Sequence, residues 1–252
     1  MFLEPAPLGI TAKPNSEVSF KLSNSMKDGF LLIDKPVGIT SHDVSHAISK
    51  KLQTKAGHTG TLDKFATGLL IICTGKATKQ SGIFSSLPKE YEVTAFLGKE
   101  TDTCDPEGNV ILTTNKVPSV EEIENTVMNF TGKIQQIPPV FSAKKIKGVR
   151  ASDLIRKGME VKLKPVNVFI YSIEITDYSF PLLKMKVSCG AGTYIRALVR
   201  DIGRKLGCGG YVLNLRRTRI GNYSIEKATK FDDVIKLSPA ELKNLIIPSL
   251  FL

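Results

Sequence analysis

The sequence predicts a mixed α+β domain, on three observations. Strand-like segments, either alternating apolar and polar or continuously apolar, recur along most of the chain. The stretches between them are irregular, with few strict strand–helix alternations, which disfavours a doubly wound sheet. At 252 residues the chain is long enough for one large domain with a sizeable core, or for two small ones.

The elements follow in order. Residues 1–26 contain Pro, Ser and Asn and no sustained period, and read as a poorly ordered leader. Phe30-Leu31-Leu32-Ile33-Asp34 is the first convincing strand, and Lys35-Pro36-Val37-Gly38-Ile39 is a Pro/Gly turn. Thr40 or Ser41 caps a helix that runs to about Leu52. The run from Leu69 to Cys73 reads as a buried strand; Tyr91, Val93, Ala95 and Leu97 alternate with Glu92, Thr94 and Phe96, giving a strand with two distinct faces. Residues 119–130 read as a helix with Ser119 as cap and acids in the first turn. Residues 131–164 are basic and interrupted by proline, as expected of an inserted lobe. Residues 166–177 and 182–188 are strand-like. Ile195, Leu198, Val199, Ile202 and Leu206 then follow helical spacing, with Arg196, Arg200 and Arg204 on the polar side. The last strand covers residues 212–220, and a short helix and an apolar tail over 236–252 finish the chain.

Charge is segregated. The net charge is +11, with nine Lys/Arg against two acids over 131–165 and seven against one over 194–219, while residues 100–126 hold seven acids and one lysine. Two basic segments set apart from the acids point to a polyphosphate partner more than to a merely solvated face. No apolar run is long enough to span a membrane and the start lacks the pattern of a secretory signal. Cys73, Cys104, Cys189 and Cys208 include no CxxC pair and read as reduced thiols of a cytoplasmic protein.

One stretch carries chemistry: Gly57-His58-Thr59-Gly60-Thr61-Leu62-Asp63-Lys64-Phe65-Ala66-Thr67-Gly68. It places a lone carboxylate, Asp63, among glycines that permit tight turns and close approach of a ligand. On residues alone, Asp63 is either a turn former or a nucleophile or base with few local partners. His42 and His46 stand one helical turn apart but lack the Glu of an HExxH site and a third ligand, so no metal is expected. Gly75-Lys76 lacks the remaining residues of a phosphate-binding loop.

The stretch resembles the catalytic signature of the bacterial TruB family of tRNA pseudouridine synthases, in which the matching Asp is the essential residue. Lys64 departs from the proline usual there. Leu32-Ile33-Asp34-Lys35-Pro36-Val37-Gly38-Ile39-Thr40-Ser41 is similar to the family's opening motif. Tyr91, within Glu90-Tyr91-Glu92-Val93, matches the tyrosine that lies against the target base. Gly192-Thr193-Tyr194-Ile195-Arg196 matches the motif that supplies a second tyrosine and the arginine paired with the Asp. Gly207-Cys208-Gly209-Gly210 and Leu215-Arg216-Arg217 match a late motif whose leucine packs near the base. The resemblance covers about residues 28–235.

It implies a pseudouridine-synthase fold: a mixed, mostly antiparallel sheet flanked by helices, with an RNA-gripping insertion. It implies Asp63, Tyr91 and Arg196 as catalytic, and His58, Lys64, Tyr194 and Leu215 as substrate-binding, His58 filling the space left by a flipped base. In the lobe it implies Lys144, Lys145, Lys147 and Arg150 as phosphate contacts to the T-arm. The reaction isomerises the T-loop uridine (position 55 in tRNA numbering) with no redox step or phosphate-bond energy, so no cofactor is expected. The expected organisation is a catalytic domain over 27–235 and a C-terminal tail too short for a full PUA domain. The expected partner is tRNA, with no obligate protein partner, no membrane, and a monomeric state. Two rival readings are an RNA-guided catalytic subunit of the Cbf5/dyskerin kind and an RNA-binding, tRNA-folding chaperone.

Overall fold

The computed structural model describes residues 28–139, 145–146, 149–150, 159 and 163–248. The leader expected over 1–26, Lys144 and Lys147 lie outside the described residues, and Lys145 and Arg150 are described as backbone only.

In chain order the elements are β1 (Gly29–Lys35), α1 (Ser41–Leu52), β2 (Ala56–His58), β3 (Thr67–Thr74), α2 (Ser81–Ser86), β4 (Lys89–Leu97), β5 (Lys99–Thr101), β6 (Val110–Thr113), α3 (Val120–Met128), β7 (Gly132–Gln136), β8 (Lys145–Ile146), β9 (Val149–Arg150), β10 (Val166–Ser179), β11 (Leu182–Cys189), α4 (Ile195–Lys205), β12 (Gly210–Ile220), β13 (Tyr223–Ser224), β14 (Thr229–Lys230), α5 (Phe231–Val234), α6 (Pro239–Asn244) and β15 (Ile247–Pro248). Eleven strands form one sheet in the order β14-β1-β3-β12-β4-β11-β10-β7, with β13 beside β12, β15 beside β1 and β2 beside β3. Among the described residues, only β1–β14 and β3–β12 pair parallel; the other pairs are antiparallel. The expected α+β architecture, a mixed and mostly antiparallel sheet with helices, is what the chain adopts.

Two sequence patterns mark two environments. β1 and β3 are apolar at nearly every position because both their faces are covered. On one side Leu31, Ile33, Leu70 and Ile72 pack with Val44 and Ile48 of α1 and Leu242 of α6. On the other, Phe30, Leu32, Leu69 and Ile71 pack with Phe84 of α2. β4 alternates because only one face is covered: Val93, Ala95 and Leu97 meet Val127 of α3 and Leu198 and Ile202 of α4. Each such aliphatic side chain contributes roughly 1.5–3 kcal/mol on burial.

Capping chemistry sets the helix starts. Thr40, not Ser41, caps α1: its hydroxyl accepts from Asp43 N (3.1 Å), and Asp43 Oδ2 accepts from Thr40 N (2.9 Å). Ser119 and Glu122 form the same reciprocal box on α3.

Three features differ from the sequence reading. Arg196 and Arg200 of α4 are buried, not solvated, because Asp105 of the β5–β6 loop, Asp201 of α4 itself and Ile137 O take up their donors. Residues 132–136, inside the segment expected as a lobe, form β7 and pair with β10 in the main sheet. The segment expected as a tail returns to the core: Leu242 and Ile246 are buried beside Leu31 and Ile33, and β15 pairs with β1. The short helix expected there is α6, and its Leu242 and the following Ile246 give the segment a face to bury.

Candidate active site

The loop between β2 and β3 carries Asp63, and two earlier segments hold it. The Ser41 hydroxyl, at the start of α1, donates to Leu62 O (2.9 Å) and accepts from Leu62 N (2.8 Å). Thr40 takes the capping role, so Ser41 is free for this clamp. In the turn after β1, Gly38 N donates to Lys64 O at 2.9 Å. The Lys35 ammonium is fully buried and donates to Pro36 O and Ile39 O, each at 2.8 Å, and to Lys64 O at 3.5 Å. Burial lowers its pKa to about 8. Asp63 is thus gripped on both sides, at residues 62 and 64. Its own carbonyl closes a turn by accepting from Ala66 N.

Behind the loop, β3 approaches β12 closely at Gly68, which has φ +106°. A Cβ there would fall 2.3 Å from Arg217 O, so no other residue fits without moving the sheet.

The Asp63 carboxylate meets a fork. Arg196, in the first turn of α4, presents Nε to Oδ2 at 2.9 Å and Nη2 to Oδ1 at 3.1 Å. Its remaining nitrogen, Nη1, donates to Asp105 Oδ2 at 2.8 Å and Thr103 O at 3.0 Å. Asp105 sits in the loop between β5 and β6, where Thr103 Oγ1 (2.6 Å) and Glu107 N (3.0 Å) also donate to it. Arg196 and Asp105 are both nearly sealed from solvent, whereas the Asp63 side chain keeps 38% of its exposure. Enclosure by protein pushes the Asp63 carboxyl above the ordinary carboxylate value. The Arg196 cation opposes that shift, and the charges of Asp105 and Glu107 add to it.

Asp63 opens onto a cavity of about 500 Å³, within the usual range for a small-molecule pocket. Of the residues anticipated from sequence, Asp63, Lys64, Tyr91, Tyr194, Arg196 and Leu215 all line it. His58 ends β2 opposite Ile72, and the cavity wall begins one residue later, at Thr59. Tyr91 and Leu215 project from β4 and β12 on the covered face of the sheet, and both are largely buried. Burial pushes the Tyr91 phenol above its usual pKa, and the nearby Arg217 cation opposes this. Tyr194 precedes α4 and is tied back by its backbone N–H to Gln136 Oε1 at 2.9 Å.

Three groups of the site were not anticipated. Asp105 fell in a segment read only as acidic; its Asp-Pro-Glu-Gly turn was the one local signal. Lys35 and Arg217 were within recognised motifs but had no role assigned. Among the described residues no group of three His, Cys, Asp or Glu side chains is placed to hold a metal ion, and none of the helices is long and apolar enough to cross a membrane.

Comparison with known proteins gives a consistent result. The model of the TruB family pseudouridylate synthase N-terminal domain matches residues 48–195, and that of the tRNA pseudouridylate synthase B C-terminal domain matches 196–249. A tRNA pseudouridine synthase B of Aquifex aeolicus (strain VF5) is 45% identical over 228 residues, 89% of this chain and 79% of the relative. One from Chlamydia pneumoniae is 43% identical over 208 residues, 82% of this chain and 88% of the relative. Among solved structures, a chain of a Cbf5–Nop10–Gar1 complex matches with a TM-score of 0.68 at 29% identity, over 88% of this chain and 60% of that one.

Proposed function

The chain belongs to the TruB family of pseudouridylate synthases, and on that premise we propose that it converts the T-loop uridine of tRNA to pseudouridine, with Asp63 as the nucleophile. One observation carries the reading: a carboxylate braced at both neighbouring residues and gripped by a guanidinium fork opens onto a nucleotide-sized cavity.

The isomerisation breaks the bond between uracil N1 and ribose C1′, turns the base, and rejoins it through C5, which loses its proton to solvent while N1 gains one. The Asp63 carboxylate is placed to attack uracil C6 or ribose C1′, or to assist a glycal route. The Arg196 fork holds both oxygens, so the carboxylate does not have to be ordered during the reaction. Tyr91 offers a flat face for the base and a hydroxyl for proton transfer. Tyr194 and Leu215 wall the pocket and exclude water. A base in a folded loop reaches Asp63 only by leaving its stack, and His58, the residue before Thr59 of the cavity wall, takes up the vacated space. Lys64 stands exposed at the cavity mouth, suited to a phosphate. The basic residues Lys144, Lys145, Lys147 and Arg150 contact the T-arm backbone. The protein acts as a monomer on tRNA in the cytoplasm.

An isolated T-arm hairpin tests the substrate assignment. The purified protein converts its T-loop uridine without added protein or guide RNA; conversion only in the presence of a guide RNA or partner would overturn the assignment.

A further inference from the structure

Arg217 is the largest of the almost completely buried side chains, 2% exposed. Its Nε donates to Leu69 O at 2.8 Å and its Nη2 to Gly60 O at 3.1 Å. Both acceptors are neutral carbonyls, and among the described residues no carboxylate pairs with it. A cation buried without an anion is costly. The other arginines of the site neighbourhood are treated differently: Arg196 holds Asp63 and Asp105, Arg204 holds Glu100, and Arg216 holds Asp34.

The position of Arg217 accounts for the exception. In the sheet register it stands directly opposite Tyr91 of β4 and opposite Gly68 of β3. It therefore bridges the strand that carries the phenol and the loop that carries Asp63, and it lines the same cavity as both. Directly opposite residues of an antiparallel pair project to the same face, so the guanidinium and the Tyr91 phenol are neighbours on the cavity side of the sheet. A guanidinium has donors and no acceptor, so a phenol meeting it does so through its oxygen, which leaves the phenol's own hydrogen to a group in the cavity.

We propose that Arg217 is the positioning residue for Tyr91, a guanidinium held free of carboxylates behind the phenol so that the hydroxyl hydrogen faces the substrate uracil. Burial by itself makes negative charge on that phenol unfavourable, and the Arg217 cation works against the penalty. The role of Tyr91 in the reaction rests on the function proposed above; the juxtaposition of the two residues in the sheet does not.

A double-mutant cycle tests the coupling: wild type, Tyr91→Phe, Arg217→Lys and the double variant, assayed by single-turnover conversion of tRNA with tRNA binding measured in parallel. Each single variant slows conversion on the order of tenfold or more with tRNA affinity within about twofold of wild type. The double variant is no more than about twofold slower than the worse single. Multiplying losses, or losses that follow tRNA affinity, overturn the proposal. A second readout needs neither activity nor an Arg217 variant. Tyr91→Phe deprives a buried guanidinium of an acceptor, and its melting temperature falls by about 4 °C or more. An unchanged or higher melting temperature of the variant overturns the proposal, while the drop in the variant beside a wild type that leaves tRNA unmodified counts against the proposed function alone.

Discussion

Arg196 and Asp105, 91 positions apart in the chain, form a buried ion pair at 2.8 Å, and the other edge of the same guanidinium grips Asp63. The loop between β5 and β6 thereby sets the orientation of the residue that orients Asp63, the proposed nucleophile. Neutralising Asp105 leaves Asp63 as the carboxylate on the buried guanidinium and weakens the bond to Nη1.

Asp105→Asn therefore has two effects of different kind. It destabilises the fold by about 1–3 kcal/mol, read by denaturant unfolding. It also moves the acid limb of the rate profile. Asp63 acts ionised, so the rate falls as pH drops through its pKa. The Asp105 charge raises that pKa, so removing it moves the limb to lower pH. A limb that stays in place or moves up contradicts the shared-arginine account.

Ser41→Ala tests the clamp on the catalytic loop. The substitution leaves Leu62 N–H and C=O buried without their partner, at a cost of about 1–3 kcal/mol. Because Asp63 is the next residue, kcat falls by about tenfold or more while tRNA affinity holds. Equal losses in kcat and affinity contradict a role confined to the loop.

Lys35 gives a prediction for alkaline stability. Its pKa is about 8 when folded and near 10.5 when unfolded, so between these values the unfolded chain binds more protons. The penalty for burying the ammonium is fully present below pH 8 and is relieved as pH rises toward 10.5. Lys35→Met removes that dependence along with the hydrogen bonds. The stability advantage of wild type over the variant, from denaturant melts at pH 7 and pH 10, is larger at pH 10. An advantage that shrinks contradicts the sign.

Much of this was legible in local sequence. Strands β1, β3 and β4 follow from apolar runs and alternation, and Ser119 and the Thr40-Ser41 pair mark helix starts. The signature loop, and the motifs bearing Tyr91, Tyr194, Arg196 and Leu215, point to residues that the fold brings to one cavity. What was not legible depends on distant pairing. A helical period places Arg196 and Arg200 on a polar face, but burial of that face depends on Asp105 and on Ile137 O, both far off in the chain. Proline and lysine content hides that residues 132–136 are a sheet edge, since pairing with β10 uses backbone groups indifferent to side-chain type. Leu242 and Ile246 look like an apolar tail until the α1–β1 core to which they belong is known. Asp63 itself is the instructive case: an adjacent arginine predicts a lowered pKa, whereas enclosure in the cavity wins and raises it.

The most direct test of the account is release of tritium from tRNA carrying C5-tritiated uridine, with wild type beside Asp63→Asn. The account predicts release by wild type, mapped to the T-loop, and none by the variant, with tRNA binding unchanged in both. Release by the variant at the wild-type rate would contradict Asp63 as nucleophile, and no release from either protein with binding intact would contradict the assignment of the reaction.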